Sequence, residues 1–347
     1  MLLNLSELSN EALHRQISNQ LIDKIVDGEL VTGAGLDPVR EFARSQRVGS
    51  RTARRAYEWL EREGFITLVG DGDYRVAEVS QELREIIRTR RRLNGESHHY
   101  EELHMSREWI MAREIQKQLL PATLPDDASL CIVASCIPSR SVSGDFYDCI
   151  PLDDDRCCVA IADACGKGLP AALLAMQIQA VLKFGLRETT DLISILGSLN
   201  AHLTRYTPAD KFATMLIGIY NRTSRDFIWA SAGHHAPILV RSDGSIEFLK
   251  QGDCGLGMSE TSQFHTLRIQ LESGDSLVLY TDGVTEAMNA GKTLYGEERL
   301  KESLLRYRHE HPCELLSAIH EDLDAFTGTC GEQDDRTIMI LKTGEGI

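Results

Sequence analysis

No run of about 18 apolar residues occurs anywhere in the 347-residue chain, so no membrane-spanning helix is expected. The start, MLLNLSELSNEALHRQ, has early acids and no cleavage-site pattern, and it does not read as a signal peptide. No C-x-x-C pair exists among the nine cysteines, an odd count scattered from Cys131 to Cys330. They are expected to be buried, reduced thiols rather than a disulfide framework or a zinc site. The G-x-x-x-x-G-K-[ST] pattern is absent, so the Gly-Lys-Gly turn at 166–168 is no P-loop. No repeat or low-complexity tract appears. Nor is there an excess of positive charge, since the net charge is -15. Residues 1–93 hold 15 basic and 15 acidic side chains, and the whole deficit lies beyond them. Such a surface does not attract nucleic acid or anionic membrane by bulk charge, and some of its carboxylates are candidates to serve a cation.

What is present is an ordinary globular balance, 42% hydrophobic and 26% charged, over a length that suggests two domains. In residues 1–78, Leu13, Ile17, Leu21 and Ile25 recur at a four-residue step that marks one helix face, closed by Gly28. DPVREFARSQRV reads as a second helix. Ser50 is expected to cap a third, RTARRAYEWLEREG, with Ala53, Ala56, Tyr57 and Leu60 inward. FITLV and YRVAEV read as strands around the turn from Gly70 to Asp73. Residues 79–121 read as a helical linker, broken at Asn94-Gly95, with a stripe of Met111, Ile115 and Leu119 before Pro121. Residues 122–347 alternate short apolar runs (CIVASC, CCVAIA, FATMLIGIY, DFIWAS, APILV, SIEFL, SLVLY, TIMIL) with three helical stretches. Short turns between strands suggest an antiparallel sandwich with helices packed outside, an α+β fold.

Four places carry chemistry. SVSGDFYD holds Asp145 and Asp148, VAIADACGKGLPAALL holds Asp163, LVLYTDGVTEA holds Asp282, and GEQDDRTIMIL holds Asp334 and Asp335. Each key Asp stands at the boundary of an apolar strand beside Gly or another small residue, where the side chain has a fixed direction and a backbone or ligand can come close. Acids converging from separate strands repel one another unless a cation lies between them. Oxygen-only ligands favour Mg²⁺ or Mn²⁺ over zinc. A lone Asp-Gly is ordinarily a turn; four such places at strand ends shift the balance toward a site. Lys167 is read as part of a structural turn ahead of phosphate binding, and His234-His235 as structural ahead of zinc ligation.

Along Ile110–Leu341, EIQKQLLP, SVSGDFYD, ADACGKGLPAALL, SAGHHAPILV, YTDGVTEAMN and DDRT occur in an order that resembles the PPM family of metal-dependent Ser/Thr phosphatases, and within it the SpoIIE/RsbU branch. The resemblance implies a PPM-type β-sandwich flanked by helices and a site for two divalent ions, Mn²⁺ or Mg²⁺. Asp163 would bridge the ions. Asp145, Asp282 and Asp334 would be further ligands and the Ala164 carbonyl would complete the set, while Asp335 stands behind them as a less direct candidate. It also implies a cytoplasmic enzyme acting on a phosphoprotein, in that branch often an anti-anti-sigma factor of the STAS type.

Residues 8–78 resemble the winged-helix module of GntR-type regulators, carried by QISNQLIDKIVDGEL, VREFARSQRVGSRTARRAYEWLEREGFI and GDGDYRVA. SRTARRA would then be the recognition helix, presenting Arg51, Arg54 and Arg55. Asp71 and Asp73 occupy a wing that is usually basic, and acids facing phosphates cost affinity. DNA binding, protein interaction and dimerisation through this module and the linker all stay open. The rival reading of the whole chain is a GntR-like transcription regulator with a non-catalytic, phosphatase-like sensor; a pseudophosphatase scaffold is a third. A complete carboxylate set counts against both.

Overall fold

The computed structural model describes residues 3, 5, 13–69, 73–81, 83–85, 87–88, 99–249, 252–328 and 333–344, the side chains of 99–107 excepted. The expected turn at 70–72 and the break at Asn94-Gly95 lie outside these residues. The chain forms two compact units, 1–112 and 113–347.

The first unit contains helices α1 (Leu13–Val26), α2 (Val39–Gln46) and α3 (Ser50–Arg62) and strands β1 (Gly35–Leu36), β2 (Ile66–Val69) and β3 (Asp73–Val76), which pair in the order β1-β3-β2. The four-residue stripe of α1 is its buried face: Ile17, Leu21 and Ile25 pack with Ala53, Ala56, Tyr57 and Leu60 of α3. Tyr57 is fixed from three sides, by Phe42, by Tyr74 and by its hydroxyl donating to the Asp37 carbonyl at 3.0 Å. The expected Ser50 cap is corrected: α3 begins at Ser50, and Gly49, in an extended conformation, holds the N-cap without a side-chain bond. Arg84 and Arg88 donate to the carbonyls of Ile25 and Val26, so the first arginines of the charged stretch cap the C-terminus of α1.

Helix α4 (His99–Leu119) ends at Pro121. The second unit follows as β4 (Leu130–Ile137), β5 (Asp145–Pro151), β6 (Arg156–Ala164), α5 (Leu169–Glu188), α6 (Leu192–Tyr206), β7 (Ala213–Asn221), β8 (Asp226–Ala232), β9 (Ile238–Val240), β10 (Ile246–Phe248), β11 (Leu267–Gln270), β12 (Ser276–Tyr280), α7 (Asp282–Thr285), α8 (Gly296–Tyr307), α9 (Pro312–Thr327) and β13 (Arg336–Thr343). Two five-stranded antiparallel sheets, β10-β9-β12-β13-β4 and β11-β8-β7-β6-β5, face one another. Strands β1, β5 and β11 and helices α7 and α8 were not among the expected elements; β5 hid because Asp145 and Asp148 put an acid on each face of the strand, with two aromatics between them.

Strand parity explains the layers. On β6, Cys157, Val159 and Ile161 face the opposite sheet, with Leu277 and Leu279 of β12 and Met339 and Leu341 of β13. Cys158, Ala160 and Ala162 face α5 and α6. Val278, Ile338 and Ile340 face α8 and α9. The order is helices, sheet, sheet, helices. Helix α5 is long and apolar enough to cross a membrane by length and composition alone. Its Ala171, Leu174, Ala175, Ile178 and Leu182 instead pack on the sheet. Met111 and Ile115, the exposed part of the linker stripe, are 57% and 52% accessible.

Candidate active site

The two sheets bring the sequence-singled acids to one end. Asp145 opens β5 and Asp163 lies near the end of β6, and they are direct cross-strand partners in the antiparallel register. By parity both belong to the face between the sheets. Asp282 begins α7, two residues past the end of β12, and Asp334 and Asp335 immediately precede β13. Asp148, three residues beyond Asp145, falls on the other face, where its carboxylate accepts from Gln179 and pairs with Lys183 of α5, both at 2.9 Å. It ties the sheet to the helix and takes no part in the rim.

Two glycines let the segments meet. A Cβ on Gly283 would stand 2.0 Å from the Asp335 carbonyl oxygen, so only glycine lets α7 lie against the Asp334-Asp335 turn. A Cβ on Gly144 would stand 2.9 Å from both the Ala164 carbonyl oxygen and the Ala171 side chain. The same close approach puts that carbonyl beside Asp145.

Asp145 is buried, and Thr281 donates to its carboxylate at 2.7 Å; the Thr337 amide donates in turn to Thr281 at 3.0 Å. Asp335 also has its oxygens engaged. One accepts from the Ser139 amide at 2.7 Å and hydroxyl at 2.8 Å, the other from the Gly144 amide at 2.6 Å. It therefore fastens the 139–144 loop. Gln116 of α4 reaches the same loop, accepting from the Ser143 amide at 2.9 Å and donating to the Ser143 carbonyl at 2.6 Å. The end of α4 is also bound to α5, because Gln179 and Lys183 donate to the Leu119 carbonyl at 2.9 and 3.0 Å.

The electrostatics are those of crowded carboxylates. Burial, then repulsion from Asp163, raises the Asp145 carboxyl well above its ordinary range. Burial, then Asp282, Asp334 and Asp335, pushes Asp163 up to about 7. Asp282 is raised by burial, Asp334 and Glu286. Lys167 pairs with Asp334 at 2.7 Å. Among the described residues no ion pair neutralises Asp145, Asp163 or Asp282. All-oxygen donors that disfavour their own ionisation until positive charge arrives fit a hard divalent cation.

Sequence reading missed three contributors. Arg140 lies against Gly168, within 4 Å of where a Cβ would stand, at the same edge as Lys167. Gln116 and Thr281 were also missed; a lone polar residue in a helix or at a strand end carries no pattern. His234 is structural in geometry: it is buried, its Nδ1 is 2.8 Å from the Thr214 hydroxyl, and burial depresses its pKa to about 3. His235 stacks on Tyr280. In the first unit Arg51, Arg54 and Arg55 are exposed on α3, and Asp73 is exposed at the start of β3.

Comparison with known proteins agrees with this fold. Residues 153–344 match the family model of Stage II sporulation protein E (SpoIIE). Protein IcfG of Synechocystis is 29% identical over 66% of the chain, a region that spans 40% of that protein. Phosphoserine phosphatase RsbU of Bacillus subtilis is 32% identical over 67% of the chain and 69% of its own length. The SiaA-PP2C domain of Pseudomonas aeruginosa superposes with a TM-score of 0.63 at 21% identity, covering 71% of this chain and 99% of that one, which shows a PP2C-type fold. The HTH-type transcriptional regulator YhcF of Bacillus subtilis is 33% identical over 30% of the chain and 87% of its own length. With a family model that covers more than half of its residues and a relative matched over two thirds of its length, the chain belongs to the SpoIIE family.

Proposed function

We propose that this chain is a metal-dependent protein serine/threonine phosphatase. The observation that carries the reading is the rim of Asp145, Asp163, Asp282 and Asp334, brought from separate segments to one end of the sandwich with charge left unbalanced. Two divalent ions, Mn²⁺ or Mg²⁺, would balance it, with Asp163 between them and the Ala164 carbonyl completing the donors. When bound, such ions supply positive charge to phosphoryl oxygens and acidify water. The chain's own residues orient the donors. Thr281 aims Asp145, and Asp335 holds the 139–144 loop as a positioning residue. Lys167 and Arg140 add positive charge at the edge where a phosphate would arrive. The test is hydrolysis of an aryl phosphate and of a phosphoserine peptide with and without Mn²⁺. Activity that survives both chelation and Asp163→Asn overturns the reading.

The substrate that family membership favours is a phosphorylated STAS-type anti-anti-sigma protein in a partner-switching pathway; RsbU is itself a phosphoserine phosphatase. Free thiols among the described cysteines suit a reducing, cytoplasmic setting. Trapping the phosphoprotein on the Asp163→Asn chain tests the substrate.

The first unit, with three helices and a three-stranded sheet, is read as a GntR-like winged helix that regulates the phosphatase, and the similarity to YhcF supports it. The exposed Met111 and Ile115 suit a homodimer through the linker. Deleting residues 1–96 should shift the Mn²⁺ dependence; superimposable titrations would reduce this unit to a tether.

A further inference from the structure

The far end of the sandwich holds a second group of donors that the proposed phosphatase chemistry does not use. Asp126 and Cys131 are paired in an isolated antiparallel bridge just where β4 begins, which turns their side chains to the same side. His311 is the N-cap of α9. One ligand atom from each of Asp126, Cys131 and His311 lies within 4.8 Å of the others. The Cys131 sulfur is 3.9 Å from His311 Nε2. All three line a cavity of about 790 Å³. Cys313, two residues beyond His311, is exposed, and its backbone amide donates to His311 Nδ1 at 3.4 Å.

We propose that Asp126, Cys131 and His311, with Cys313 as the fourth donor, form a site for one zinc-class divalent cation that pins the start of β4 to the N-terminus of α9. Three arguments carry it. The donor set mixes thiolate, imidazole and carboxylate, which suits a borderline-soft ion in tetrahedral coordination and not the hard ions suited to the rim. Bond lengths of about 2.0–2.3 Å put tetrahedral donors roughly 3.3–3.8 Å apart, so the 3.9 Å between the Cys131 sulfur and His311 Nε2 needs only a small contraction. The third is a carboxylate without an ion pair. Nearby, Arg222 is committed to Asp127 and Arg241 to Asp275 at 2.7 Å, and Lys342 is held away by the neutral carbonyls of Arg308 and Glu310 at 3.1 and 2.7 Å. Among the described residues the Asp126 carboxylate has no ion pair.

Binding would release the two thiol protons to solvent. The imidazole proton would also move from Nε2 to Nδ1, breaking the long 3.4 Å bond from the Cys313 amide and freeing Nε2 to ligate. The site is separate from the acid rim. Cys131 pairs with Lys342 and Ile137 with Arg336 on the β4–β13 ladder, so the two ends are about 20 Å apart at the usual rise per residue. It would act as a clamp on the segment that joins Pro121 to β4.

The test uses Co²⁺ and the full, metal-free chain. Thiolate ligation gives a sulfur-to-cobalt charge-transfer band in the near ultraviolet, which a carboxylate site cannot produce. One equivalent should develop this band. It should persist in Asp163→Asn and be lost, or weakened at least tenfold in apparent affinity, in Cys131→Ser, His311→Ala and Asp126→Asn. Zn²⁺ should displace the Co²⁺ and raise the thermal midpoint of Asp163→Asn. Circular dichroism shows which variants fold, and any one folded variant decides. No band at stoichiometric Co²⁺, or a band unchanged in a folded Cys131→Ser chain, overturns the proposal.

Discussion

Gln116 and Ser143 exchange two hydrogen bonds, amide group to backbone, so the last turns of α4 hold the loop that carries Asp145. Ser143 itself accepts from the Asp145 amide at 3.0 Å. The position of a rim acid is thereby linked to a helix that also carries exposed apolar residues.

Gln116→Ala leaves the Ser143 amide and carbonyl without these partners. The two bonds are together worth about 1–3 kcal/mol. The half-maximal Mn²⁺ concentration for aryl phosphate hydrolysis should rise roughly tenfold at saturating substrate, with the far-ultraviolet circular dichroism unchanged. A metal titration superimposable on the parent's would remove Gln116 from the site.

Asp163→Asn should abolish turnover and also change how metal-free stability depends on pH. Asp163 keeps its proton to about 7 in the fold but releases it near 3.8 when unfolded. The fold thus binds more protons between those values, and stability falls as pH rises through the window. His234, depressed to about 3, works in the opposite sense between 3 and 6.5, so the comparison must be a difference between chains. The variant should gain stability relative to the parent as pH rises from 4 to 7, on the order of 2 kcal/mol in denaturant melts without metal. A parallel pair of pH profiles would contradict the crowded-acid account.

Gly283→Ala should be costly, because the added methyl meets the Asp335 carbonyl. Overpacking of this kind costs about 1–3 kcal/mol. Gly197→Ala, in α6 with open space around it, is the control and should be neutral or stabilising by up to about 1 kcal/mol. Equal melting curves for the two variants would show that the α7 contact is loose.

The first unit should bind mixed-sequence duplex DNA weakly. Arg51, Arg54 and Arg55 are exposed on α3, but residues 1–93 carry no net positive charge and Asp73 is exposed nearby. Fluorescence anisotropy of the full chain at low and moderate salt should show a shallow salt slope. Tight binding with a steep slope, abolished by Arg51→Ala and Arg55→Ala, would assign the α3 face to DNA.

Much of the fold could be read from local pattern. The four-residue stripe of α1 and the apolar runs of β6, β7, β12 and β13 each match a buried face, because burial at a fixed period leaves a periodic trace. Strand β5 left none, since its inward positions include Asp145 and its outward ones Asp148. The expectation of buried cysteines held for Cys149, Cys157 and Cys158; it failed for Cys254 and Cys313, which are exposed in a loop and in the first turn of a helix.

The sequence by itself determined which acids stand at strand ends, which glycines accompany them and which face of each strand is apolar, since these follow from local spacing. Only the tertiary structure decided that Asp145 faces Asp163 while Asp148 turns to α5. It alone showed that Asp335 spends its oxygens on a loop, that Lys167 reaches Asp334, and that Asp126 meets His311 across 185 positions of chain. Those relations depend on register and on contacts between segments far apart in sequence, and spacing along one strand carries no record of what lies opposite it.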